Sequence, residues 1–93
     1  MMYTLSTTRQ FEKDLKRCIK RGFPMEELRA VLSALVAEGK LPAKYKPHKL
    51  SGNHAGEWEC HIKPDWLLVW EQNDTQLTLL MLNTGTHSDI FGK

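Results

Sequence analysis

Hydrophobic positions change period along this chain, and each change marks an element. Tyr3–Leu5 reads as a short first strand. From about Thr7 the spacing becomes helical. Phe11, Leu15, Cys18 and Ile19 recur as one apolar stripe, with Arg9, Lys13, Lys16, Arg17 and Lys20 on the opposite side. Thr7-Thr8-Arg9-Gln10 has the form of a capping box at the entry. Gly22 predicts the exit, because glycine reaches positive φ without a Cβ clash. Pro24 suits the first turn of a second helix, where a backbone N–H would lack a partner in any case. Leu28, Val31, Leu32, Leu35 and Val36 form its apolar face, Ala30, Ala34 and Ala37 its reverse, and Gly39 its end. Together they predict a helical hairpin.

Between Lys40 and Asn53 the periodicity dissolves, and Pro42, Pro47, Gly52 and four lysines predict a loop. After Gly56 the period is two. Trp58, Cys60 and Ile62 alternate with Glu57, Glu59, His61 and Lys63, as in a half-buried strand. Pro64-Asp65 predicts a turn, Trp66–Glu71 a further strand, Asn73-Asp74 a hairpin turn and Gln76–Leu82 a last strand. The order β-α-α-β-β-β predicts an α+β fold: an antiparallel sheet with helices on one face, its last three strands a meander. With Trp58, Cys60 and Ile62 turned inward, His61 and Lys63 point to the open face. Cys60 and His61 then cannot share a metal.

Ninety-three residues predict one domain, 1–93. The 41% hydrophobic and 26% charged content is that of an ordinary globule. The longest apolar run, Trp66–Trp70, falls far short of the roughly 20 residues a bilayer crossing requires. The start, Met1-Met2-Tyr3-Thr4-Leu5, lacks the basic and apolar regions of a signal peptide. A cytoplasmic protein without membrane association is expected. Cys18 and Cys60 make neither a disulfide framework nor a zinc site and are expected to be reduced and buried. Charge is uneven: residues 1–50 hold 11 basic and 5 acidic side chains, residues 51–93 hold 2 and 6. A basic half attracts nucleic acid or an acidic protein, although a solvated helix face gives the same count.

Four chemistry-bearing side chains are scattered through the chain. His48 lies in the loop, His61 on a strand, Asp65 in a turn and His87 just past the last strand. A meander can gather them on one surface. Their types suit zinc or iron, but their spacing matches no compact metal motif, and a lysine-rich loop opposes a dication. No metal and no cofactor is expected. Neither cysteine has an activating context, and no serine sits in a nucleophile elbow. Histidines beside lysines and aromatics suit metal-free acid–base chemistry on RNA. Histidine exchanges protons near neutral pH, aromatics such as Trp66 and Phe91 stack on bases, and lysines neutralise phosphates. Packing roles for Trp66 and Phe91, and a merely exposed histidine, are the plainer readings of the same residues.

Three strings together narrow the field: Pro47-His48-Lys49-Leu50-Ser51-Gly52, His61-Ile62-Lys63-Pro64-Asp65-Trp66-Leu67-Leu68, and Thr84-Gly85-Thr86-His87-Ser88-Asp89-Ile90-Phe91. Their combination resembles the YafQ-like branch of the RelE/ParE toxin superfamily, over nearly the full chain. The resemblance implies a toxin of a type II toxin–antitoxin system that cuts translated mRNA on the 70S ribosome. It implies metal-free attack of the ribose 2′-OH on the adjacent phosphate, giving a 2′,3′-cyclic phosphate and a 5′-OH. It also implies neutralisation by a DinJ- or RelB-like antitoxin, with operator DNA reached only through that antitoxin.

On this resemblance His48, His61, Asp65 and His87 are the acid–base residues. His87 protonates the leaving 5′-oxygen, while His48 or His61 with Asp65 assists deprotonation of the 2′-OH. Trp66, Phe91, Lys49, Lys63 and Asn83 fall at RNA-contacting positions. Asn83 departs from the family, which usually has an arginine there. Asparagine supplies a donor but no charge for the phosphorane, so attenuated activity is expected unless another cation substitutes, Lys63 first. Lys13, Lys16, Arg17 and Lys20 form a candidate ribosome-contacting face. The alternative is a catalytically weak antitoxin-binding module acting mainly through its complex. The related toxins that act on DNA gyrase fit less well, because they generally lack this histidine set.

Overall fold

A computed structural model describes residues 2–92. Its elements run β1 (Thr4–Thr7), α1 (Arg9–Lys20), α2 (Met25–Glu38), β2 (His48–Lys49), β3 (Glu57–Lys63), β4 (Trp66–Asn73), β5 (Thr78–Gly85) and α3 (His87–Phe91). Single turns of 3-10 helix at Ala43–Tyr45 and Gly52–His54 flank β2. The sheet order is β1-β5-β4-β3-β2. The architecture is the expected α+β fold, and β3, β4 and β5 form the expected antiparallel meander.

Three features differ from the sequence reading. β1 lies parallel beside β5, so the sheet is mixed. The lysine-rich loop contributes the two-residue strand β2 at the far edge. A short helix, α3, follows β5. Two and five residues are too few to show a period, which is why β2 and α3 read as loop.

The helix ends obey the local chemistry. Thr8, one residue beyond the expected Thr7, caps α1 and accepts the Phe11 N–H, while Gln10 turns to Asp14 instead of closing a capping box. Gly22, at φ +80°, lets its own N–H and that of Phe23 reach Ile19 and Cys18 carbonyls. Gly39, at φ +67°, ends α2 where any Cβ would collide with the Tyr3 ring. Phe11, Cys18, Leu28, Val31 and Leu35 pack on Cys60, Ile62, Leu68, Trp70, Leu79 and Met81. Ile19, expected in this stripe, is exposed. The buried face of α1 instead includes Asp14, only 2% exposed.

Asp14 has a structural reason to be there. β1 pairs with β5 only as far as Met81, and α1 then takes over that edge. The Thr8 hydroxyl donates to the Met81 and Leu82 carbonyls. Asp14 Oδ2 accepts the Thr84 N–H at 3.1 Å and the Asn83 amide at 3.3 Å, while Oδ1 accepts from Gln10 and Arg17. A carboxylate thus satisfies sheet-edge donors that no strand reaches. Among the described residues no helix is long and apolar enough to cross a membrane.

Candidate active site

The sheet face away from α1 and α2 carries the candidate acid–base residues. Register puts His48 beside Glu59, Glu59 beside Val69, and Val69 beside Asn83. In the neighbouring row His61 pairs with Leu67, and Leu67 with Gly85. Leu67 and Val69 are buried and form an apolar floor. Beyond Gly85 the chain turns into α3, whose first residue is His87. Three imidazoles therefore form a row, with His48 and His61 ring centres 6.5 Å apart and His61 and His87 5.8 Å apart. The β3–β4 turn adds Asp65, so all four expected acid–base residues are neighbours.

Each imidazole has a defined partner. His87 Nδ1 lies 2.5 Å from Asp65 Oδ1, which also accepts the His87 backbone N–H at 3.0 Å. These two bonds, the backbone one first, hold the Asp65 carboxyl below the usual carboxylate range. A carboxylate accepts only, so Nδ1 is the donor and Nε2 faces outward. His61 Nδ1 sits 3.3 Å from the Pro64 carbonyl, which leaves its Nε2 lone pair open to the face. His48 Nδ1 lies 3.0 Å from the Lys46 carbonyl and its Nε2 3.2 Å from Glu59 Oε1.

Glu59 was not singled out by the sequence. It is 6% exposed, and the same Oε1 is 4.0 Å from His61 Nε2, so one carboxylate stands between two imidazoles. The alternation Glu57, Glu59, His61, Lys63 contained the signal, because it placed Glu59 on the face of His61. Asp65 contacts His87, while Glu59 stands on the His48–His61 side.

The expected RNA-contacting residues divide. Phe91 is 37% exposed, and its ring stands edge-on to His54 at 5.7 Å. Trp66, in contrast, is 2% exposed. Its ring packs edge-on against Phe23, and its indole N–H donates to Thr84 Oγ1, so no base can stack on it. Lys49 pairs in register with Trp58 and its ammonium lies over that ring, on the face opposite His48. A register shift between His61 and Lys63 turns Lys63 toward α2, where it pairs with Glu27 at 3.7 Å. Lys63 still lines a shallow depression with Lys44, Lys46 and His61. Asn83 holds Asp14. On α1, Lys13, Lys16 and Lys20 are exposed, but Arg17 is folded onto Asp14 and Asp89.

Cys18 and Cys60 are free and buried. Burial pushes the Cys60 thiol up to about 12, which makes it a packing residue rather than a nucleophile. Among the described residues no three His, Cys, Asp or Glu side chains are grouped to hold a metal.

Known proteins resemble this chain in sequence and fold. The family model for the bacterial toxin of type II toxin–antitoxin systems, YafQ, matches residues 3–92. The mRNA interferase toxin YafQ of Escherichia coli strain K12 is 37% identical over 84 residues, 89% of each chain. The E. coli DinJ–YafQ toxin–antitoxin complex contains a chain that superposes with a TM-score of 0.89 at 33% identity, covering 99% of this chain and 100% of that one. A metal-bound toxin from Helicobacter pylori matches with a TM-score of 0.86 at 41% identity, covering 98% and 100%.

Proposed function

The chain belongs to the YafQ family of bacterial type II toxins, and from that premise we propose that it is a ribosome-dependent endoribonuclease that cleaves translated mRNA. The observation that carries this reading is the row of three imidazoles on one open face, each with its Nδ1 engaged. His61 Nε2 takes the proton of the ribose 2′-OH as the 2′-oxygen bonds to phosphorus. The bond from phosphorus to the 5′-oxygen breaks, and His87 Nε2 delivers a proton to that oxygen. The products are a 2′,3′-cyclic phosphate and a 5′-OH, with no net proton change. Asp65 holds the His87 ring by its Nδ1 and so keeps Nε2 turned to the open face. Glu59 orients His48 and His61 from below. Lys44 and Lys46 neutralise the strand entering beside His61, and Phe91 supports a base.

Two further parts belong to the same proposal. Residues 1–93 act as one domain in the cytoplasm, on ribosome-bound message, and a DinJ-like antitoxin silences them. Activity is attenuated, because the Asn83 amide is spent on Asp14 and the Lys63 ammonium on Glu27. That engagement is also what favours the second reading, an antitoxin-binding module with little cleavage. Primer extension on translated mRNA separates the two. Codon-linked cuts that disappear in His87→Ala support the nuclease; tight antitoxin binding without cuts supports the module. Asn83→Arg is expected to increase cleavage, and equal rates in the two proteins would remove the attenuation.

A further inference from the structure

Helix α3 has five residues, too few to hold a helix unaided, yet it carries His87 at its first position. What holds it converges on one carboxylate. Asp89 Oδ2 accepts the Thr86 N–H at 2.9 Å while the Asp89 N–H donates to Thr86 Oγ1 at 3.1 Å, a reciprocal cap. The other contacts leave the helix. Arg21, at the end of α1, places Nη1 2.6 Å from Asp89 Oδ2 and Nη2 3.2 Å from Oδ1. Arg17 Nε, buried and without a hydrogen-bond partner, stands 3.8 Å from Asp89 Oδ1. Gly85, at φ +153°, packs against this carboxylate, and a Cβ there would come within 2.8 Å of Asp89 Oδ2.

We propose that the Arg21–Asp89 ion pair is a positioning device for His87, fixing the start of α3 against the end of α1 so that the imidazole stays on Asp65. Asp65 cannot do this alone, since its side chain is 67% exposed in the β3–β4 turn. Besides the stability it adds, the pair supplies direction, which a two-pronged guanidinium gives and a point charge does not. The Arg21 hydrogen bond, set against burial, brings the Asp89 carboxyl down to about 2, so the anchor is ionised wherever the enzyme works. Neither Arg21 nor Asp89 touches the imidazole. Misplacing a reacting group by about 1 Å costs up to roughly a hundredfold in rate.

The inference rests on His87 being the proton donor, so its test needs a readout independent of cleavage. In the full chain, the NMR signal of the His87 Nδ1–H bonded to Asp65 supplies one. Arg21→Gln and Asp89→Asn are each expected to broaden that signal into solvent exchange. Each should also lower kcat on ribosome-bound mRNA about tenfold with KM little changed. The double variant should be no worse than either single one, because the two residues act as one unit. Arg21→Lys keeps the charge and one donor, and should recover part of both losses; it serves the same comparison where Arg21→Gln does not fold. An unchanged Nδ1–H signal in the single variants overturns the positioning role, as do losses that multiply in the double variant. A wild-type chain that cuts no RNA while its signal still responds to Arg21→Gln removes the nuclease and leaves the positioning intact.

Discussion

At the scale of single residues, reactivity follows from which acceptor each imidazole has found. Asp65 turns His87 so that Nε2 is presented, and replacing that carboxylate leaves the ring free to rotate. Asp65→Asn is expected to slow cleavage about tenfold to a hundredfold, less than the loss in His87→Ala, on the order of 10²–10⁴. Single-turnover cleavage of ribosome-bound mRNA measures both. Asp65 and Asp89 are both held below the ordinary carboxylate range. Their folded values lie below their unfolded ones, so the stability they add is complete above roughly pH 4–5 and fades as pH falls through the folded values. For Asp89 that window runs down to about 2. Urea unfolding of wild type and Asp89→Asn should therefore differ at neutral pH and converge near the bottom of that window; a gap that stays constant contradicts the linkage. That His48, His61, Asp65 and His87 are neighbours is legible in the sequence, because the meander brings the loop, the strand, the turn and the end of the last strand that carry them to one surface. Glu59 shows in the sequence only as an alternating position, unremarkable by type. Trp66 misled, since β4 is buried on both faces and a continuous apolar run does not say which side is floor and which is core.

At the scale of elements, the decisive contact is a helix standing in for a strand. α1 closes the β5 edge beyond β1 through Thr8 and Asp14, and the turn into α3 begins at the end of that edge. Asp14→Ala leaves the buried Thr84 N–H without a partner and releases Asn83 and Arg17. Destabilisation of about 2–3 kcal/mol is expected, read from urea denaturation midpoints at neutral pH. A change below about 0.5 kcal/mol contradicts the edge-closing role. Glycine, proline and threonine declared the bounds of α1 and α2, because caps and left-handed exits are local chemistry. Parallel pairing of β1 with β5 is a long-range choice that no local period encodes. The same holds for the bulge that leaves Val69 facing Asn83 but Trp70 facing Met81.

At the scale of the molecule, the uneven charge sorts itself by face. Lys13, Lys16 and Lys20 remain exposed on α1, whereas Arg17 and Arg21 turn in to anchor α3. The outer lysines are thus exposed, as the proposed ribosome contact requires. Neutralising Lys13, Lys16 and Lys20 together is expected to weaken ribosome binding and flatten its salt dependence, since fewer counterions are released. Equal binding at low and moderate salt removes that role. The proposed proton-balanced transfer by the imidazole row, between neighbouring oxygens of one ribose–phosphate link, is reported most directly by the ends of the cut message. Mass spectrometry of fragments released from translating ribosomes should find a 2′,3′-cyclic phosphate on one side and a 5′-OH on the other, both absent with His87→Ala. Fragments ending in 3′-OH and 5′-phosphate, or the same cuts persisting without His87, would contradict it.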